Sequence, residues 1–310
     1  MRHHPLEIWL GFTAIIAVLL ILDLFVLNRR AHIPSLKEST WWTGGLVALS
    51  FCFGLFLYSR EGSTAMMEYY AGYLLELSLS VDNLFVFILL FQYFAVPTAL
   101  RTKVLHWGIL GAIVMRAIMI VAGAVLLERF EWIIYVFGAI LVWTGARMFR
   151  NMEEEVHPEH NPLLKLLRRI MPVTKGYEGD RFIIRTTAGK LMATPLLVVL
   201  LMVEWTDLVF AIDSIPAVYG ITRDPFIVYS SNIFAILGLR ALFFLLAGVM
   251  DKFVYLKPGV ALILVFVGLK MVTSKWVHLP ISVSLSIIAG ILLGAIMLSL
   301  YLPAKERPRG

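Results

Sequence analysis

Nine stretches of apolar residues, each close to the length that crosses a bilayer, take up most of this 310-residue chain. A helix rises about 1.5 Å per residue, so about 20 apolar residues reach across a hydrocarbon core about 30 Å thick. Only helices and closed barrels satisfy their own backbone groups there. The runs predict helices over Leu6 to Leu27, Trp41 to Tyr58, Tyr69 to Tyr93, Val104 to Leu127, Trp132 to Phe149, Met192 to Val218, Pro225 to Met250, Pro258 to Thr273 and Pro280 to Leu302, the eighth being short. With 60% hydrophobic and 15% charged residues, against about a quarter charged in soluble domains, the chain is neither a soluble enzyme nor a disordered scaffold nor a disulfide-framed secreted domain. The expected fold is an all-α polytopic membrane protein.

The first run is too long for a signal peptide, lacks a small-residue cleavage site and ends at Arg29 and Arg30, so it reads as a retained helix. A net charge of +6 and a pI near 9.4 suggest nucleic acid until the basic residues are placed: they sit in alternate loops. With the N-terminus outside, 18 lysines and arginines face the cytoplasm and only Arg2, Arg60, Arg129, Arg223 and Lys275 face the other side. The positive-inside rule therefore predicts N-out, C-in, and no nucleic-acid partner is needed. The stretch from Arg150 to Lys190, rich in proline and glycine, reads as a cytoplasmic linker. Within it Glu153, Glu154, Glu155, His157, Glu159 and His160 could hold a cation loosely, but a solvated acidic patch is the simpler account. The single cysteine, Cys52, lies in an apolar run and offers neither a disulfide framework nor a thiolate metal site.

The same ordered features occur on both sides of the linker. Glu76-Leu-Ser-Leu-Ser-Val-Asp82-Asn83 is followed by Pro97, Arg116 and Gly145-Ala-Arg147-Met. Asp207-Leu-Val-Phe-Ala-Ile-Asp213-Ser214 is followed by Pro225, Arg240 and Gly268-Leu-Lys270-Met. The offset drifts from 131 to 123 residues. An odd number of spans separates equivalent helices, so the two three-helix units enter the membrane from opposite faces, a pattern of transporters. The expected segments are 1–68 with two helices, 69–149 as the first repeat, 150–191 as linker, 192–274 as the second repeat, and 275–310 as a last helix and tail.

An ionisable side chain at the bilayer centre costs about 2.5–3.5 kcal/mol on insertion scales, yet Glu76, Asp82, Glu204, Asp207, Asp213, Arg116, Arg147, Arg240 and Lys270 all fall within predicted spans. Glu76, Ser80 and Asn83 make one polar stripe, with Asp82 one position round, and Glu204 and Asp207 are i, i+3 neighbours. Facing the bundle interior, these stripes would form a small oxygen-rich cavity. Pro216 removes a helical hydrogen bond to residue 212 and predicts a helix break that frees carbonyl oxygens near Asp213; Phe85 stands at the corresponding place in the first repeat. Carboxylate, amide and hydroxyl ligands suit magnesium, calcium or manganese(II). Met202 would favour manganese as a soft ligand, although methionine in an apolar helix is ordinarily packing. Arg116 and Arg240 are expected to neutralise the carboxylates when a cation has left, and Arg147 and Lys270 to snorkel. The plainer alternative is that Asp82, Asp213, Arg116 and Arg240 form buried ion pairs that only fix helix packing.

These paired motifs, Glu76 to Asn83 and Glu204-Trp-Thr-Asp207 through Asp213-Ser214-Ile-Pro216, resemble the signature of the TerC family, and the chain is most similar to its Alx-like branch. The resemblance covers the chain from the first helix to Leu302. It implies a membrane protein of the LysE-like superfamily in a bacterial inner membrane, linked to manganese(II) export and named for tellurium resistance. It carries metal-site roles onto Glu76, Asp82, Asp207 and Asp213, with Asn83, Glu204 and Ser214 as neighbours. The tellurium label does not suit the site, since clustered carboxylates repel an oxyanion. The expected function is a secondary transporter that exports Mn2+ in exchange for protons: a deprotonated carboxylate holds the metal and a protonated one releases it. No resident cofactor is expected. The alternative is an assembly or metal-delivery factor for other membrane or secreted proteins, docking through the linker. An intramembrane enzyme is disfavoured, since HExxH, GxSxG and nucleotide-binding glycine patterns are missing from any usable context.

Overall fold

The computed structural model describes residues 5–22, 36–130, 132–150, 164, 167, 169–185, 190–246, 255–277 and 279–301. Among them are nine named helices: α1 (Leu6–Ile21), α2 (Leu36–Glu61), α3 (Ser63–Tyr93), α4 (Thr98–Arg129), α5 (Ile133–Arg150), α6 (Pro195–Tyr219), α7 (Pro225–Leu246), α8 (Leu256–Val272) and α9 (Ile281–Tyr301). Seven are long and apolar enough to cross a membrane; α1 and α8, at 16 and 17 residues, are shorter. The chain is an all-α polytopic membrane protein. Its surface is rich in large apolar side chains such as Ile118, Val121, Trp143 and Leu293, as a lipid-facing surface requires.

Helix ends follow backbone chemistry. Pro97 precedes α4, while Pro195 and Pro225 each open a helix, where a missing N–H costs nothing. The sixth helix therefore starts at Pro195 instead of Met192, which lies in a strand. Helix α3 starts earlier than its apolar run, at Ser63, because a single residue, Gly62, makes the reversal from α2 at φ 87°. That left-handed conformation favours glycine. The break expected at Pro216 is not formed: α6 continues helically to Tyr219. Pro216 stands one turn from the helix end, so a single missing donor is tolerated there without unwinding.

Helices α3, α4 and α5 interlock with α6, α7 and α8. Helix α4 packs on α6 and α7 packs on α3; α3 also meets α6, α4 meets α7, and α5 runs along α8. Helices α1 and α2 flank α7, and α9 covers α3 and α8. The α5–α8 seam is the tightest. A Cβ on Gly138 would stand 2.8 Å from the Gly268 carbonyl oxygen, and one on Gly145 would stand 2.7 Å from that of Ala261, so only glycine lets the two backbones approach this closely.

Part of the segment read as a linker is folded. Strands β1 (Ile183–Arg185) and β2 (Leu191–Ala193) pair antiparallel, with Ile183 opposite Ala193. The hairpin and the chain before it dock on the α3–α4 turn. Lys103 bonds Asp180 at 2.7 Å and the Tyr177 hydroxyl donates to the Phe94 carbonyl at 2.8 Å. The Thr194 hydroxyl donates to the Arg181 carbonyl. The acidic patch Glu153 to His160, and Arg29 and Arg30, lie outside the described residues.

Candidate functional site

Arg116 is the largest fully buried side chain in the bundle, 1% exposed, near the middle of α4. Its Nη1 bonds Glu76 Oε2 of α3 at 2.7 Å; Nη2 bonds Asp207 Oδ1 of α6 at 3.0 Å, and Nε bonds Oδ2 of the same carboxylate at 3.3 Å. The fork on Asp207 is bidentate, the strongest and most directional arrangement open to a guanidinium. Ser214 Oγ, two turns along α6 from Asp207, completes the set at 3.4 Å from Nη1. Three helices are thus tied at one buried point, with two carboxylates set against one cation.

Four of the sequence-derived site residues, Glu76, Asp207, Ser214 and Arg116, are therefore brought together, and the arginine stands between the acids. Others are not in that cluster. Asp213 turns to α5, where the Thr144 hydroxyl donates to its Oδ1 at 3.0 Å. Glu204 is half-buried against α4, its carboxylate filling the notch at Gly111. The side chain of Asp82 lies outside the described residues. Arg240 points at α4, with Nη1 3.2 Å from His106 Nε2. Arg147 is exposed at the end of α5, its guanidinium 5.6 Å from the Trp143 ring centre. Lys270 is half-exposed at the end of α8. Met202 is buried in an apolar cluster with Val199 and Val203, where it is packing. Among the described residues, no group of three or more acidic, histidine or cysteine side chains is placed to hold a metal ion.

The stripe on α3 is more informative than its acids alone. Glu76, Ser80 and Asn83 are at most 1% exposed. Glu76 Oε1, Ser80 Oγ and both amide atoms of Asn83 have no hydrogen-bond partner among the described residues. Buried polar atoms are ordinarily satisfied, so a run of unpartnered polar atoms along one helix face needs an explanation. A cavity of about 10 Å³, room for about one water, opens beside the same face. It is lined by Phe87 of α3, Gly108 and Ala112 of α4, Val203 and Asp207 of α6, and Leu239 of α7. Phe87 is one turn beyond Asn83, and the cavity reaches Asp207 from the Thr98 end of α4.

Three further polar residues carry weaker sequence signals. His106 stands near a span end, and Thr144 looks like an ordinary helix threonine. Asn232 of α7 is fully buried, and neither of its amide atoms has a hydrogen-bond partner among the described residues; the rule applied to the acids reaches it as well, since it is a polar side chain within a predicted span.

Comparison with known proteins gives a consistent assignment. The family described as "Integral membrane protein TerC family" matches residues 61–307. The chain is 47% identical over 301 residues to an uncharacterized membrane protein, STKORF319, of Myxococcus xanthus, covering 97% of this chain and 94% of that protein. It is 44% identical over 313 residues to Alx of Escherichia coli strain K12, named as a candidate membrane-bound redox modulator, covering 98% of this chain and 97% of the relative. The Alx of Salmonella typhi, named in the same way, is 46% identical over 294 residues, covering 92% of this chain and 91% of that protein. No solved structure matches.

Proposed function

The chain belongs to the TerC family of integral membrane proteins, and from that premise we propose that it is a secondary transporter exporting manganese(II) from the cytoplasm in exchange for protons. One observation carries this reading. Glu76 of α3 and Asp207 of α6 converge on a single buried guanidinium, leaving two carboxylates against one resident positive charge. Intramembrane ionisable groups default to a place on an ion path. The surrounding atoms are hard oxygen ligands: Glu76 Oε1, Ser80 Oγ and the Asn83 carbonyl beside the pair, with Ser214 on the facing helix. Such a set suits manganese(II), calcium or magnesium over copper(I).

In this reading the arrangement is the empty carrier, and Arg116 is an internal counter-cation that holds the acids until a dication displaces it. Charge conservation at the pair then requires either the guanidinium, the metal or protons, which is the basis of exchange. Asp82, Asp213 and Glu204 belong to the path around this centre. The basic residues of alternate loops support N-out, C-in in a bacterial inner membrane. The redox role in the relatives' names has little to act through here: one cysteine, Cys52, cannot form an intramolecular disulfide.

Purified protein in liposomes holding a manganese-sensitive dye tests the proposal. Uptake is expected from the wild type and expected to vanish in Asp207→Asn and in Glu76→Gln, with both variants still inserted. Wild-type uptake by either variant refutes it. A second reading, a metal-delivery or assembly factor, is favoured by the apolar side chains that the hairpin turns outward, Ile183 and Leu191. Replacing residues 175–190 with a short flexible loop separates the two: a transporter still fills the liposomes, whereas a docking factor loses its cellular phenotype.

A further inference from the structure

Helix contacts repeat across the two units with the same offsets as the sequence motifs. Adding 123 turns Gly145 into Gly268, Val142 into Val265 and Gly138 into Ala261. Under that shift the Gly138–Gly268 contact becomes Ala261–Gly145, and Val142–Gly268 becomes Val265–Gly145. Both members of each pair are present in the α5–α8 seam: a Cβ on Gly268 would meet Val142 N at 2.9 Å, and one on Gly145 would meet Val265 N at 3.1 Å. Packing of α4 on α6 likewise has its mate in α7 on α3.

The arginines break this pattern. Shifting by 131 carries Glu76 to Asp207 and Asn83 to Ser214; shifting by 124 carries Arg116 to Arg240. The mates of the Arg116–Asp207 and Arg116–Ser214 bonds are then Arg240–Glu76 and Arg240–Asn83. Neither bond is made among the described residues, where Arg240 Nη1 lies 3.2 Å from His106 Nε2. Yet the acceptors those bonds would use are the unpartnered ones, Glu76 Oε1 and the Asn83 amide. The cavity is one-sided in the same sense. It lies between Phe87 and Val203, whose mates Val218 and Gly72 are in contact, a Cβ on Gly72 standing 3.3 Å from Val218 Cγ1.

We propose that Arg116 and Arg240 are alternate counter-cations of one carboxylate pair. In the mirrored state Arg240 leaves His106 and takes Glu76, Asp207 and Asn83, while Arg116 withdraws toward Ser230, the residue that corresponds to His106 under the 124-residue shift. Ser230 is buried, and its hydroxyl donates only to its own helix, at Ile227. A hydroxyl there and an imidazole at 106 make the two seats chemically unequal, so the exchange carries a built-in preference for one face. This deepens the carrier reading and rests on it: the two arginines mark which way the empty site opens.

The test uses the full chain with Cys52→Ser, reconstituted without metal, and compares thiol labelling at Ile109→Cys, beside the cavity, with labelling at its mate Ile233→Cys. With both arginines present, position 109 is expected to react faster. Arg116→Gln is expected to invert the ratio; Arg240→Gln and Asn83→Ala are expected to enlarge it. An unchanged ratio in Arg116→Gln, or inversion in Arg240→Gln, overturns the proposal. Should Arg116→Gln fail to insert, Arg116→Lys, which keeps the charge but loses the bidentate fork on Asp207, is expected to move the ratio toward position 233; no movement overturns it equally. Manganese uptake in the same vesicles keeps the two ideas apart. Inversion without uptake leaves the arginine exchange standing and removes the carrier, and uptake without inversion does the reverse.

Discussion

Arg116 has two carboxylate partners and almost no solvent, so its removal leaves buried charge uncompensated. Breaking a buried ion pair from one side costs about 3–5 kcal/mol, whereas replacing all members by apolar groups of similar volume is often neutral. Arg116→Gln is therefore expected to lower the melting temperature in detergent clearly, and the triple variant Glu76→Met, Arg116→Met, Asp207→Leu to recover most of the loss while remaining inactive. A smaller effect belongs to Tyr219, whose hydroxyl donates to the Ile120 carbonyl at 2.7 Å. Tyr219→Phe is expected to cost about 1 kcal/mol, read in the same melt. At the rim, Lys103 holds the Asp180 carboxyl below its usual range, by hydrogen bond first and by charge second. A depressed folded value means that the contact contributes above the ordinary carboxylate range and is lost as pH falls through the folded value. Protection of the backbone amides in residues 183–185 and 191–193, read as exchange relative to each amide's intrinsic rate at the same pH, is expected to fall on acidification in the wild type, and to be low and pH-independent in Lys103→Gln.

The site acids were legible because charge within an apolar run is costly, but their partners were less so. Helix arithmetic held part of the answer. Asp213 is six residues from Asp207, about 240° round the helix, while Ser214 at seven residues returns to the same face. Ser214 joins Arg116 and Asp213 turns to α5, a rotation between the two neighbours that the sequence already contains. The choice of Arg116 over Arg240 had no such signal, since both follow their acidic motifs in the same order along the chain.

At the scale of helices, the α5–α8 seam depends on residues without side chains. A methyl on Gly138 or Gly268 would press on the facing backbone at 2.8 or 2.7 Å, so the helices must separate. Gly138→Ala and Gly268→Ala are each expected to destabilise by about 1–3 kcal/mol, as overpacked contacts do. Gly290 of α9 has open space around it, and Gly290→Ala is expected to be neutral or to stabilise by up to about 1 kcal/mol through helix propensity. Thermal melts of the three variants decide the matter. Helix existence was read correctly from apolar length, and ends were read less well where polar residues continue a helix, as from Ser63 to Glu68. Pro216 misled because its consequence depends on distance from the helix end.

Across the whole molecule, the alternation of basic loops is the ground for the proposed N-out, C-in orientation. A fluorescent protein fused after residue 310 is expected to be bright, and alkaline phosphatase at the same place inactive; the opposite result reverses the N-out, C-in assignment. The packing of α4 on α6 and of α7 on α3 was beyond the sequence. Hydropathy gives each helix a depth but assigns it no neighbour, and apolar faces in lipid are nearly interchangeable.

The one-residue join at Gly62 has a mechanical consequence. Helices α2 and α3 share no slack, so the strip bearing Glu76, Ser80 and Asn83 cannot ratchet by a turn, about 5.4 Å, without dragging α2 along with it. The α2–α3 pair is expected to move as one stiff yoke, tilting about the Gly62 elbow.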